Sequence, residues 1–345
     1  MSPKGFKASV RLFCIAAIVA CPVSAVRAAD YYAGKKVDFV IGSDAGGGYD
    51  VYARTIGKHL GRFLPGNPLV VPRNMPGAGS GTAAASVFRL AAKDGTVIGA
   101  LFPGVVVGPL FDDRPQNLFD PNKFQYLGTA DSGVRVCITG PMSKVKTFED
   151  AQSQKTVIGA SAAGGSTRDY AAFHKNAAGA QFEIVSGYKG TVDILLAIER
   201  GEVDGLCGLD WASLKSQRPN WLRDKTVNIL VQDGVATDPE LDALGVPPIW
   251  KYIASESDKA PVELIVSQQV FGRPYVAPPG VPAEQVKMLR DAFEAVMKDE
   301  AFLADAKLGR LDILPLSGEK VQEVVAKLYA APKDVVQRAK QLITP

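Results

Sequence analysis

One stretch constrains the fold more than any other: Val37-Asp38-Phe39-Val40-Ile41-Gly42-Ser43-Asp44-Ala45-Gly46-Gly47-Gly48-Tyr49-Asp50. A β-branched apolar run ends in a glycine cluster. Beyond it Val51, Ala53, Ile56, Leu60 and Phe63 recur near one helical face. The pattern reads as strand, glycine turn, helix. Glycine lets the backbone take positive φ and turn its N–H groups toward one point, and the following helix adds the positive end of its dipole. An anion cradle and a plain tight βα connection both satisfy this stretch. A nucleotide loop does not. A Walker loop closes with Gly-Lys-Ser/Thr, whereas Tyr49 and Asp50 follow Gly48. The dinucleotide fingerprint spaces its glycines, and Gly46, Gly47 and Gly48 are contiguous. Without a lysine, the turn suits a small carboxylate better than a polyphosphate.

The same grammar recurs down the chain. Leu69-Val70-Val71 reads as a strand. Asn74-Met75-Pro76-Gly77-Ala78-Gly79-Ser80-Gly81-Thr82 is a second glycine turn before an alanine-rich helix, and Thr96–Leu101 is another strand. Residues 103–125, with four prolines, read as irregular. A second alternation begins at Val134–Thr139. It continues through the strand Thr156–Ala160, a third glycine-and-hydroxyl turn from Ser161 to Thr167, a helix Arg168–Ala178, and the strand Glu183–Val185. A helix Thr191–Arg200 and strands Val203–Cys207 and Val227–Val231 follow. Strand, glycine turn, helix, strand is the pattern of a parallel sheet with ligands at the strands' carboxyl ends. Ser80 and Thr82 add hydroxyls where the second helix starts, and they also serve as ordinary caps. After Pro247-Pro248 come a short strand, a proline-rich turn at 277–282, and helices with apolar faces at Val286, Leu289, Phe293 and at Val321, Val325, Leu328. These helices need a sheet to cover. The expectation is therefore two α/β lobes joined by two crossovers, with residues 30–130 plus 255–345 in lobe 1 and 131–254 in lobe 2.

The first 29 residues read as an export signal. Lys4, Lys7 and Arg11 precede a short apolar core, and Val26-Arg27-Ala28 offers a cleavage site after Ala28. Ile18-Val19-Ala20-Cys21 is a loose lipoprotein box, but Pro22 makes it the weaker reading, so a soluble periplasmic protein is expected. What remains, a little over three hundred residues, is long enough for two cores. The net charge of +3 is scattered along the chain and nothing points to nucleic acid. Catalytic equipment is thin. His59 and His174 are the only histidines and fall inside helical patterns, Gly159–Ala163 lacks the last glycine of a nucleophile elbow, and no Cys-His spacing suggests zinc. No catalytic residue, metal or cofactor is expected. Arg168, at the mouth of the third turn, opposes the helix dipole, which favours a ligand role over pairing with Asp169 or Glu183. Cys137 and Cys207 are an even pair outside the leader.

The chain resembles the substrate-binding receptors of tripartite tricarboxylate transporters, the Bug family. The resemblance rests on six motifs in order: Ile41–Asp50, Asn74-Met75-Pro76-Gly77-Ala78-Gly79, Asp94-Gly95-Thr96, Gly165-Ser166-Thr167-Arg168-Asp169, Gly187-Tyr188-Lys189-Gly190 and Ala277-Pro278-Pro279-Gly280-Val281-Pro282. It implies a type II periplasmic binding fold: two α/β lobes around a cleft. It also implies a monomeric receptor that is not an enzyme, with no cofactor, which captures a small organic acid for a permease of one large and one small transmembrane subunit. An exported α/β enzyme acting on a similar acid, and a receptor that signals to a membrane sensor, are the alternatives. By matching position the implied ligand-binding residues are Ala45, Gly46, Gly47, Gly79, Ser80, Ser166 and Thr167. Ser43, Asp44, Tyr49 and Asp169 depart from the family pattern and, with Arg168 and Tyr188, complete the expected cleft. Gly208 stands where the family carries an acid. The resemblance also makes the strands of Cys137 and Cys207 antiparallel neighbours, within disulfide reach. A register shift would separate the side chains, and two buried core thiols are the preferred reading.

Overall fold

The computed structural model describes Met1, Ser2 and residues 30–111, 118–161 and 165–345. The expected export signal with its cleavage site and Cys21 lies outside the described residues, as do residues 162–164 of the third glycine turn. Among the described residues no helix is long and apolar enough to cross a membrane.

Two mixed sheets organise the chain. The first has the order β11-β4-β10-β3-β1-β2, the second β7-β6-β8-β5-β9. In the first sheet β1 (Lys36–Ile41) pairs in parallel with β2 (Leu69–Asn74) and β3 (Val97–Ala100). β4 (Gln125–Thr129) belongs to the same sheet. The chain then crosses to β5 (Arg135–Thr139) of the second sheet, followed by β6 (Thr156–Ala160), β7 (Phe182–Ser186), β8 (Gly205–Asp210) and β9 (Asn228–Asp233). It returns with β10 (Pro274–Ala277), which inserts antiparallel between β3 and β4, and ends the sheet with β11 (Leu316–Ser317). There are thus two crossovers, β4 to β5 and β9 to β10.

The helices follow the glycine turns. α1 (Gly48–Leu60) follows β1, and α2 (Gly81–Arg89) follows β2. α3 (Pro103–Phe111) corrects the irregular reading of residues 103–125: Pro103 stands at the first helical position, where its missing N–H costs nothing, and Val105, Val106 and Val107 are buried. In the second unit α4 (Phe148–Ser153) carries a capping box between Thr147 and Asp150. α5 (Ser166–Ala178) follows β6, α6 (Thr191–Glu199) follows β7, and α7 (Trp211–Gln217) follows β8. β5 is buried at every residue, Arg135 included. A later helix, Lys333–Leu342, packs on Glu256–Val266. Asn176 of α5 ties it to the second unit by donating to the carbonyls of Leu342 (2.9 Å) and Thr344 (2.7 Å).

Cys137 and Cys207 form a disulfide between β5 and β8. This overturns the reading of two core thiols. The register of the two strands shifts between Val136 and Ile138, and that irregularity sets Cys137 against Cys207. Among the described residues one group of possible metal ligands gathers, His174 with these two cysteines. Their sulfurs are bonded to each other, so no thiolate is offered to a metal.

Candidate functional site: the cleft between the sheets

α1, α2 and α3 start just past the carboxyl ends of β1, β2 and β3, and α5 and α7 just past those of β6 and β8. Several contacts bring the two units together here. A Cβ on Gly48 would lie 3.0 Å from Ser213 Oγ and 3.7 Å from Arg273 Nη1, so the start of α1 sits against α7 and the second crossover.

The first glycine turn is braced from within. Asp50, 3% exposed, accepts from the Gly46 N–H (2.9 Å), Arg54 Nε (2.9 Å) and Asn74 Nδ2 (2.7 Å). Asn74 Nδ2 also donates to the Ser43 carbonyl, at 2.9 Å. Burial raises the Asp50 pKa, and these hydrogen bonds outweigh it to leave the carboxyl below its ordinary value. The Gly46 amide is therefore engaged inside the protein, and Gly47 serves as the cap of α1. Asp44 and Ala45 are exposed, and Ser43 is buried with its hydroxyl unpartnered. Tyr49 is half-buried, its ring 4.3 Å from that of Phe102 and beneath the Arg273 guanidinium at 4.8 Å.

The second turn is strained. Gly77, Ala78, Gly79 and Ser80 all have positive φ (124°, 47°, 58° and 75°). Ala78 and Ser80 are not glycine, and such residues cost of order 1–3 kcal/mol each where the surroundings hold them. Ser80 is 1% exposed and its hydroxyl has no hydrogen-bond partner. A Cβ on Gly42 would come within 1.7 Å of that oxygen, so only glycine at 42 admits this serine.

In the second unit Ser166 opens α5, and the buried Thr167 hydroxyl accepts from the Ser161 N–H at 2.9 Å. Thr167 therefore staples the third turn. Arg168 is half-buried and reaches Asp169, itself buried, at 3.5 Å. Tyr188 packs against the core of the second unit, near Gly159. Gly208, at φ 69°, allows close approach of Ser166: a Cβ there would meet the Ser166 carbonyl oxygen at 2.5 Å.

Sequence reasoning missed the charged floor between the units. Arg135 (0% exposed) on β5 faces Asp210 of β8 and Asp233 of β9 across the ladder. Its Nε lies 3.3 Å from an Asp210 oxygen, yet none of its three guanidinium nitrogens makes a hydrogen bond. Arg273 (1% exposed), just before β10, donates from Nη2 to Ser213 Oγ at 3.0 Å. It also lies 3.4 Å from Asp131, which sits in the first crossover, and 3.9 Å above the Tyr52 ring. Burial works against both positive charges. Tyr170, Asp210 and Tyr49 around Arg135, and Asp210, Tyr52 and Asp131 around Arg273, outweigh it, so both pKa values rise above the ordinary one. Burial pushes the Asp131 carboxyl up against the pull of Arg273, and the Asp233 carboxyl up against that of His174. One signal pointed to Arg135: an arginine inside Val134-Arg135-Val136-Cys137-Ile138, a run apolar enough to be buried on both faces. Arg273, between a glycine and a proline, carried none.

Both histidines are buried helix residues with acidic partners. His59 Nε2 is 2.6 Å from Asp305, and His174 Nε2 is 2.7 Å from Asp233. Two surface hollows lie elsewhere, and their charged linings pair locally: Lys287 with Asp291 and Arg290 with Glu319 in one, Lys155 with Glu183 in the other.

No protein-family model matches the chain, and no curated protein matches its sequence. Solved structures do match it. A TctC solute-binding protein from Polaromonas superposes with a TM-score of 0.62 at 15% identity, covering 88% of this chain and 98% of the other. The chain has the fold of the TctC and Bug solute-binding proteins. The periplasmic binding protein BugD gives a TM-score of 0.66 at 20% identity, over 88% and 97% of the two chains. MatC from Rhodopseudomonas palustris, solved with bound malate, gives 0.66 at 18%, over 87% and 99%. These matches cover 87% to 88% of this chain, and the two α/β sheets agree with the fold class read from the sequence.

Proposed function

We propose that the protein is a periplasmic solute-binding receptor that captures a small carboxylate-bearing metabolite between its two units. It then delivers that solute to the large and small transmembrane subunits of a tripartite tricarboxylate-type transporter. The observation that carries this reading is a group of buried donors without partners around the meeting of the two units, among them the Ser43 and Ser80 hydroxyls, the Tyr170 hydroxyl, the Arg135 guanidinium and two nitrogens of Arg273. Buried polar groups are almost always hydrogen-bonded, and donors left open at a cleft fit an acceptor-rich solute. The fold supports the same reading, because MatC carries malate on it. The motif residues Gly79, Ser80, Ser166 and Arg168 are proposed as its upper contacts, with Asp44 and Asp169 biasing the site toward acids that also bear a hydroxyl or ammonium group.

Thermal-shift screening against mono-, di- and tricarboxylates, aromatic acids and amino acids tests the proposal. A ligand at a hundred times its dissociation constant stabilises the fold by about 2.7 kcal/mol. Turnover of carboxylic acids or esters by the purified protein, or silence toward every acid class, would refute it.

A further inference from the structure

Arg135 and Arg273 are both fully buried, and Arg273 Nε and Nη1, like all three Arg135 nitrogens, make no hydrogen bond; the two differ in what else surrounds them. Arg273 is held on several sides. Ser213 accepts from its Nη2, Asp131 lies beside its Nε, and the Tyr52 and Tyr49 rings lie against its face. It ties the second crossover to Asp131 of the first and to Ser213 of α7. Arg135 has no such set. Asp210 stands near its Nε only, and that carboxylate is shared with Arg273, whose Nη2 is 3.7 Å away. Asp233, its other neighbour across the ladder, is engaged by His174 through Oδ1 at 2.7 Å, and its Oδ2 is buried without a hydrogen bond. Neither carboxylate hydrogen-bonds the two terminal nitrogens of Arg135. A guanidinium presents its donors as a planar fork that matches a carboxylate in two parallel hydrogen bonds. Leaving charged donors open at this depth is costly, and Arg135 is the one of the two with no hydrogen bond from any nitrogen. Beside it stands a second open donor. The Tyr170 ring of α5 lies 5.1 Å from the Arg135 guanidinium carbon, and the Tyr170 hydroxyl is buried without a partner.

We propose that Arg135 takes a ligand carboxylate at the floor of the cleft through a direct two-pronged ion pair. The Tyr170 hydroxyl donates to the same group, so the solute is selected as an ionised acid against its amide or ester. The inference rests on the receptor reading above and names the charge class of its solute. It places the charge-bearing contact on the floor strand of the second sheet and not on the glycine turns. The turns then read the remainder of the molecule. Arg273 is a positioning residue: it neutralises Asp131 and part of Asp210, leaving the fork of Arg135 for the solute.

The test is calorimetry of the whole protein with malonate, succinate, malate, adipate and benzoate, each beside its amide. The wild type is expected to bind at least one of these acids and to discriminate strongly against the matching amide. Arg135→Lys keeps a positive charge but loses the fork and is expected to bind that acid roughly tenfold to a hundredfold more weakly. Arg135→Gln should bring the acid-to-amide preference close to one. Tyr170→Phe removes a single oxygen from a helix and should weaken the acid several-fold with its melting temperature retained. Wild-type affinity for the acid in folded Arg135→Lys and Arg135→Gln would overturn the proposal. Should both arginine variants fail to fold, unchanged acid affinity in Tyr170→Phe, or equal wild-type binding of acid and amide, would overturn it. Wild-type silence toward every acid defeats the receptor reading itself, and the proposal with it, which separates the two failures.

Discussion

Reducing the Cys137–Cys207 disulfide provides a measurable test of how the second sheet is held. The bond closes a segment of 70 residues that contains β6, β7 and helices α4, α5 and α6. Restricting an unfolded loop of that length removes chain entropy corresponding to about 4.4 kcal/mol at 25 °C, and measured disulfides usually contribute about 2–4 kcal/mol. Both cysteines are fully buried, so reduction adds two packed thiols and little else. All three tryptophans (Trp211, Trp221 and Trp250) lie in or beside the second sheet, and Trp250 donates to the Gly234 carbonyl immediately after β9. Their fluorescence therefore reports that unit in a urea titration with and without reductant. The reduced form should unfold at a denaturant concentration lower by roughly 1 M. Alkylation of the unreduced, unfolded protein should leave positions 137 and 207 unlabelled. Coincident unfolding of the two forms would refute the entropic argument, and two labelled cysteines in the unreduced chain would refute the bond.

Three further outcomes follow from the cleft. The Asp50 carboxyl is held below its ordinary pKa, so the stability it contributes is complete above the unfolded-state pKa of about 4 and is lost as pH falls through the folded value. Asp50→Asn should flatten the acid limb of a stability profile, and an unchanged limb would sink the assignment. Gly208→Ala should destabilise by more than about 1 kcal/mol, because alanine resists positive φ and its Cβ would strike Ser166; denaturation midpoints would expose an error here. Ser80→Ala and Ser166→Ala should each weaken acid binding by about 1 kcal/mol where the hydroxyl donates to a polar group on the remainder of the solute, and calorimetry with unchanged affinity in both would move the contacts elsewhere.

Local order was legible wherever a single period dominated. β1 and α1 could be read because an apolar run, a glycine cluster and a helical face follow one another without interruption, and α5 and α6 were read for the same reason. What failed was any feature decided by distant partners. Residues 103–125 looked irregular because prolines mask a helix when one of them sits at its first turn, and β4 was missed because Gln125-Tyr126-Leu127-Gly128-Thr129 lacks the valine or isoleucine run that marked β3 and β6. The disulfide turned on a one-residue irregularity between β5 and β8, which no local pattern encodes. Within the cleft, the glycine motifs announced themselves through composition. The Gly46 amide, however, was assigned outward when Asp50 already accepts its hydrogen bond, and that engagement depends on Asn74, 24 residues further on. The floor arginines were missed for a similar reason: their meaning comes from acids on other strands.

The place of β10 has a consequence for the order in which the chain acquires structure. β3 and β4 are consecutive along the chain, yet they touch only through β10, which begins at Pro274. The second sheet needs nothing beyond Asp233 to complete its ladder. A chain emerging from its amino terminus can thus finish the later-numbered sheet first, while the earlier one waits as two separate fragments with β3 and β4 unpaired along facing edges. Those edges are open to pairing with other chains until β10 arrives. An unfolded-chain-binding chaperone would have its longest opportunity there, and the arrival of Pro274–Ala277 decides when that opportunity closes.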